Sequence, residues 1–206
     1  GVSSKGIEWV GEQLSKFYNE KTKILLLTKG LAVIENQFET LADKLEKILK
    51  KNGTTNPKIS AVGGPCLASG LANRIKSSVV LASKNIEIVK EIGKIISTSY
   101  YSTEFTEDLI GVEVCAATKN IYSMLIGASE GLSSNNIDGE IKKKYYLNTA
   151  ASLIYKSLSE MKKLTKKLKG KDETVFGLAG LGDLHVSAAG GRNSMMGNYL
   201  GKGLLY

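Results

Sequence analysis

Lys23-Ile24-Leu25-Leu26-Leu27-Thr28-Lys29-Gly30 is a short apolar run halted by a glycine-bearing turn. Its length and its end signal read as a buried strand over Lys23 to Leu27. Working outward, Lys58 to Val62 is a second run of this kind, halted by Gly63-Gly64-Pro65, and Ser78 to Ala82 is a third. Helical spacings lie around them. Gly6 to Phe17 puts Ile7, Val10, Leu14 and Phe17 on one side. Asn36 to Lys50 does the same with Phe38, Leu41, Leu45 and Leu49. Ile86 to Ile96 follows Asn85, a suitable helix cap, and Ser99 to Ser102 reads as a last short strand. This alternation predicts an α/β fold with a mostly parallel sheet covered by helices. Ligands of such sheets sit beyond the carboxyl ends of the strands. The turns Thr28-Lys29-Gly30 and Gly63-Gly64-Pro65 are therefore candidate ligand loops.

From Thr106 onward strand signals nearly vanish. Thr106-Glu107-Asp108 reads as a helix start with acids in the first turn. Helical stretches then run from Asp108 to Ser129 and from Tyr146 to Leu168, with a weaker one near the end. The expected organisation is an α/β unit over 1–105 followed by a mostly α-helical unit over 106–206.

Composition narrows the function classes. The 206 residues are 42% hydrophobic and 23% charged, which is ordinary for a soluble globular protein. No stretch is expected to span a bilayer, and no secretory signal stands out. Cys66 and Cys115 lie far apart in apolar surroundings, which fits buried thiols in a reducing, cytoplasmic setting. His185 is the single histidine, and neither a metal-ligand cluster nor a nucleophile elbow accompanies it. The net charge of +8 favours anionic partners. Part of it is the lysine-rich stretch from Lys156 to Lys171. There Leu158, Met161, Leu164 and Leu168 recur at helical spacing, so the lysines read as the wet face of a helix. No aromatic-basic interleaving accompanies them, and nucleic-acid binding is not expected.

Two features carry chemistry. Val114 to Ser129 is apolar nearly all round, with one charged interruption, Lys119, followed by Asn120. An ammonium buried without a partner costs several kcal/mol. Lys119 therefore either snorkels, forms a structural ion pair, or works as an acid and base on a carbonyl or alcohol. The second feature is Gly177-Leu178-Ala179-Gly180-Leu181-Gly182-Asp183-Leu184, followed by Gly190-Gly191-Arg192-Asn193. Asp183 can pair with Lys119. Arg192 offers a planar fork for phosphate, and Asn193 adds donors and an acceptor. Taken alone, each glycine run also fits an ordinary turn with a surface arginine.

Taken together and in order, Thr28-Lys29-Gly30, Gly64-Pro65 with Ala68, the block Gly111 to Asn120, Gly177 to Leu184 and Arg192-Asn193 resemble the NAD(P)-dependent sn-glycerol-3-phosphate dehydrogenase family. The resemblance covers nearly the whole chain. It implies an incomplete Rossmann-like sheet followed by a helical domain of the 6-phosphogluconate dehydrogenase C-terminal type. It implies hydride transfer between NAD or NADP and the pair dihydroxyacetone phosphate and glycerol 3-phosphate, serving glycerolipid synthesis or redox balance. Lys119 would be the catalytic lysine, with Lys29 and Asp183 beside it. Gly64, Cys66, Asn120, Ser187, Arg192 and Asn193 would line the substrate site, and Ala68 and Arg192 would meet the cofactor. A homodimer is implied as well.

The sequence departs from the family in three places. Cys66 stands where serine is usual. Ser133 to Tyr146, with three consecutive lysines, replaces a shorter glycine-rich link. The family's opening Gly-x-Gly-x-x-Gly/Ala turn, which binds the dinucleotide pyrophosphate, is expected before Gly1, and its last helices after Tyr206. Other readings stay open at this point. One is a sister enzyme acting on a 3-hydroxyacid or 6-phosphogluconate. Another is a non-catalytic or inactive fragment that binds a phosphorylated ligand or a partner protein.

Overall fold

Strand residues alternate between two cores, and that alternation sets the layers. In the computed structural model, which describes residues 2–135 and 142–204, Val79 and Leu81 of β5 (Ser77–Ala82) face α4 (Ile86–Ile96), packing on Ile88, Val89 and Ile92. Val80 and Ala82 of the same strand join the larger core on the other face. That is the period-two pattern of a sheet buried on both sides. The other strands are β1 (Lys23–Leu26), β4 (Lys58–Gly63) and β6 (Tyr101–Thr106), in the order β1-β4-β5-β6.

The sheet is mixed. β1 and β4 pair in parallel, as do β5 and β6, but β4 and β5 are antiparallel. A parallel crossover needs a helix long enough to run back along the sheet. The connection between β4 and β5 holds only the five-residue α3 (Ala68–Ala72), so the chain turns back instead. β6 also begins two residues later than its sequence expectation, and the helix after it is capped by Asp108 rather than Thr106. Asp108 Oδ1 accepts from Gly111 N at 2.9 Å.

A hairpin replaces the first turn of a helix expected from Asn36. β2 (Leu31–Ile34) and β3 (Gln37–Thr40) pair antiparallel through Glu35 and Asn36, both with positive φ. Two such residues form the tight turn whose twist suits a hairpin. Phe38 therefore sits exposed on a strand instead of on the helix face. α2 (Leu41–Lys51) starts after Thr40, whose hydroxyl accepts from Asp43 N at 3.0 Å. Its Leu41, Leu45 and Leu49 are buried, as is Ile7 of α1 (Ile7–Ser15), while Phe17 lies beyond the end of α1, in solvent.

The second half is helical: α5 (Leu109–Asn135), α6 (Lys142–Lys167), α7 (Asp172–Phe176), α8 (Asp183–Gly190) and α9 (Arg192–Gly201). The link over 136–141 lies outside the described residues. The lysines of α6 from Lys156 on are exposed, and Leu158 and Met161 are buried. α5 carries Leu109, Val112 and Cys115 into the same core as α2, α6 and α8. Contrary to expectation, Leu109–Ser134 is long and apolar enough to cross a membrane by length and composition alone. However, 56% of its most apolar stretch is buried inside the fold. Nor is α5 covered all round: Ile121, Leu125 and Leu132 are exposed on one side.

Candidate active site

α5 and α8 bring together the two charges whose pairing the sequence reading allowed. Lys119 is 7% exposed and Asp183 2%. The Lys119 ammonium donates to Asp183 Oδ1 in a short buried ion pair. Asp183 heads α8 directly after Leu178–Gly182, which winds as a single π-helical turn rather than a loose glycine loop. Such turns widen a helix and recur at functional sites. Gly180 makes the widening possible, because any side chain there would run into the Val175 backbone.

Lys29 completes the group from the sheet. It follows β1, and its ammonium donates to Asp183 Oδ2 at 3.3 Å. One buried carboxylate thus holds two ammonium groups, and the site keeps a net positive charge. Lys119 is the inner group and Lys29, with a side chain 36% exposed, the outer. Burial lowers the Lys119 pKa to about 8. Asp183 opposes the shift, and the neighbouring Lys29 charge adds to it. A cation lowered in this way is a competent proton donor near neutral pH.

The other candidates surround this group at different depths. Ser187 is buried one turn after Asp183 on α8. Asn120 is exposed on α5. Gly64 has φ +123, a value that favours glycine, and Gly182 lies against the ring of Pro65. The loop after β4 therefore abuts the segment that delivers Asp183. Its Cys66 is a half-buried free thiol packed against the α4 core. Leu67 reaches Gly190, so Ala68, exposed at the start of α3, lies on the side of the molecule where α9 begins. Arg192 is exposed and Asn193 half-buried in the first turn of α9. No hydrogen bond ties either to the lysine pair among the described contacts.

α9 is held by glycines. Gly127 and Gly131 of α5 face Ser194 and Asn198, while Gly197 and Gly201 face Met124 and Ala128, at backbone-to-backbone range. Side chains at these positions would force the helices apart. Ser194 is level with Gly127, which is about 12 Å along the α5 axis from Lys119 at 1.5 Å per residue.

Sequence reading places Asp108 at the helix start but misses its role there, and misses the burial of Glu113. Asp108 caps α5, and its Oδ2 also accepts from Lys171 N at 2.9 Å and from the Thr174 hydroxyl at 2.5 Å. Glu113, 5% exposed, accepts from Ala42 N on α2 at 3.2 and 3.3 Å. For Glu113 the available signal was the one that marked Lys119, a charge inside an apolar helix.

Residues 1–89 match the family model for the NAD-dependent glycerol-3-phosphate dehydrogenase N-terminus, and residues 108–205 that for its C-terminus. An NADP(+)-dependent glycerol-3-phosphate dehydrogenase of Archaeoglobus fulgidus is 33% identical over 99% of this chain and 58% of its own length. A glycerol-3-phosphate dehydrogenase [NAD(P)+] of Clostridium acetobutylicum is 30% identical over 98% of this chain and 56% of its own. Among solved structures, glycerol-3-phosphate dehydrogenase from Coxiella burnetii aligns with a TM-score of 0.79 at 30% identity. That alignment covers 98% of this chain and 57% of the other. The chain therefore spans rather more than half the length of these relatives.

Proposed function

Since the chain belongs to the NAD-dependent glycerol-3-phosphate dehydrogenase family, we propose that the protein interconverts dihydroxyacetone phosphate and sn-glycerol 3-phosphate, using NAD or NADP. The observation that carries this reading is the Lys119–Asp183–Lys29 group, two ammonium ions on one buried carboxylate.

A nicotinamide, when bound, would supply or take the hydride. In the reducing direction the Lys119 ammonium donates its proton to the carbonyl oxygen of the substrate as that oxygen becomes an alkoxide. In the oxidising direction neutral Lys119 removes the hydroxyl proton. Asp183 fixes Lys119 and keeps it protonated below its lowered pKa. Lys29 directs a second ammonium at the same oxygen and stabilises its developing charge. Arg192, Asn193 and the first-turn N–H groups of α9 grip the phosphate, since a helix N-terminus and a guanidinium both favour that anion. Gly64, Cys66, Asn120 and Ser187 would line the remainder of the substrate site, and Ala68 and Arg192 would face the cofactor.

A boundary near Phe105 belongs to this reading, with 1–105 forming the cofactor domain, which also lends Lys29 to the site, and 106–206 the substrate and catalytic domain. A cytoplasmic homodimer supplying glycerol phosphate for glycerolipid synthesis or redox balance belongs to it too. Both free thiols are consistent with that compartment, and sedimentation velocity tests the dimer.

A substrate panel on the full-length protein tests the activity. Dihydroxyacetone phosphate should drive oxidation of NADH or NADPH, while 6-phosphogluconate and 3-hydroxyacids should give no turnover with the oxidised cofactors. Turnover of a member of the second group alone would replace this reading with that of a sister enzyme. Binding of glycerol 3-phosphate without turnover of any substrate would replace it with that of a non-catalytic binder.

A further inference from the structure

The first backbone N–H groups of a helix have no partner inside it and need one from elsewhere. In α2 the Thr40 hydroxyl serves Asp43 N. Ala42 N is served from a different part of the chain, by Glu113 of α5. Glu113, Leu41 and Ala42 are all buried, so solvent cannot take over this role.

What α2 begins with matters for the site. The Leu41 side chain reaches Gly30: a Cβ placed on that glycine would lie 3.8 Å from Leu41 Cδ1. Gly30 has φ +143 and directly follows Lys29. The contacts close a ring. From α5, Glu113 holds the start of α2; Leu41, with the nearer Ser4, lies beside Gly30; Lys29 reaches Asp183; and Asp183 holds Lys119, which returns to α5. Glu113 and Lys119 are six residues apart, so they leave α5 in different directions, one toward each end of this ring.

We propose that Glu113 is a positioning residue: by clamping the start of α2 it holds the Lys29 loop against Asp183, so that Lys29 and Lys119 address one reacting oxygen. The proposal rests on the dehydrogenase reading above and deepens it. Glu113 touches neither substrate nor cofactor, and its effect passes through Lys29.

Two variants of the full-length protein and two readouts test this. Glu113→Gln keeps an acceptor for Ala42 N, and Glu113→Ala removes it. The first readout is turnover of dihydroxyacetone phosphate. Glu113→Ala should lower kcat at least tenfold with KM changed less than threefold, and Glu113→Gln should keep most of the wild-type kcat. The second is acetylation of individual lysines by a water-soluble reagent, followed by mass spectrometry. Lys29 should react several-fold faster in Glu113→Ala than in wild type, with Lys119 unchanged. Equal acceleration at both lysines would mean general loosening of the fold and would overturn the proposal. So would unchanged Lys29 reactivity, or Glu113→Gln behaving like Glu113→Ala. A wild-type protein that turns over nothing would defeat the dehydrogenase reading. The labelling would still decide whether Glu113 clamps the Lys29 loop.

Discussion

At the scale of single residues, charge and burial make sharp demands on Lys119. Its lowered pKa, about 8, fixes the direction of the pH dependence. Reduction needs the ammonium form, so kcat/KM for dihydroxyacetone phosphate should fall as pH rises through about 8. Oxidation needs the free amine and should rise over the same interval. Steady-state profiles in both directions check this, and parallel profiles would exclude Lys119 as the titrating group. Removing the carboxylate should shift the profile further. Asp183→Asn leaves two ammonium groups unopposed, which moves the falling limb of reduction to lower pH. It should also destabilise the fold by on the order of 3 kcal/mol, the usual result of breaking a buried pair. Arg192→Ala should act differently. Arg192 is exposed and apart from the lysine pair, so its loss should raise KM at least tenfold while altering kcat less. An unchanged KM would remove it from the phosphate site.

Glu113 carries its own pH signature. Burial raises its pKa to about 8, opposed by hydrogen bonds from Ala42 and Thr40 and reinforced by the nearby Asp43 charge. Its folded pKa is thus above the unfolded value of 4.5. The stability it contributes is complete below pH 4.5 and is lost as pH rises toward 8. Urea unfolding of wild type and Glu113→Gln should therefore diverge between pH 5 and pH 8, with the variant the more stable at pH 8. Curves that stay parallel would mean Glu113 is ionised in the folded protein.

At the scale of elements, legibility followed the strength of the local signal. The apolar runs at Lys23 and Lys58 ended in glycine turns and were readable as strands. The hairpin was not, because Glu35-Asn36 lacks the glycine that announces a tight turn, and Phe38 fits the spacing of the following helix by coincidence. The antiparallel step between β4 and β5 depends on how short α3 is, which periodicity does not report. The Lys119–Asp183 pair was legible because a lone lysine in an apolar helix needs a carboxylate. The relative depth of Lys119, Asp183 and Arg192 was not, since it depends on the π turn at Leu178–Gly182 and on the close approach of α5 and α9. That approach yields a test. Gly127→Val would push α9 off α5 and carry Arg192 with it, so KM should rise although Arg192 itself is intact. A variant with wild-type KM and wild-type Tm would show that the two helices do not need this approach.

At the scale of the whole molecule, the halves share one core. Ile7, Leu41 and Ala61 pack in the same cluster as Val112, Met161 and Leu184. The candidate site lies where these parts meet, with Lys29 supplied by the first half and Lys119 and Asp183 by the second. Function should therefore depend on both halves together. The direct test is single-turnover oxidation of NADH or NADPH by dihydroxyacetone phosphate, comparing the full-length wild type with Lys119→Ala. Hydride transfer should proceed in the wild type and fall by two or more orders of magnitude in the variant, with cofactor affinity little changed. Near-normal transfer in Lys119→Ala would contradict the account.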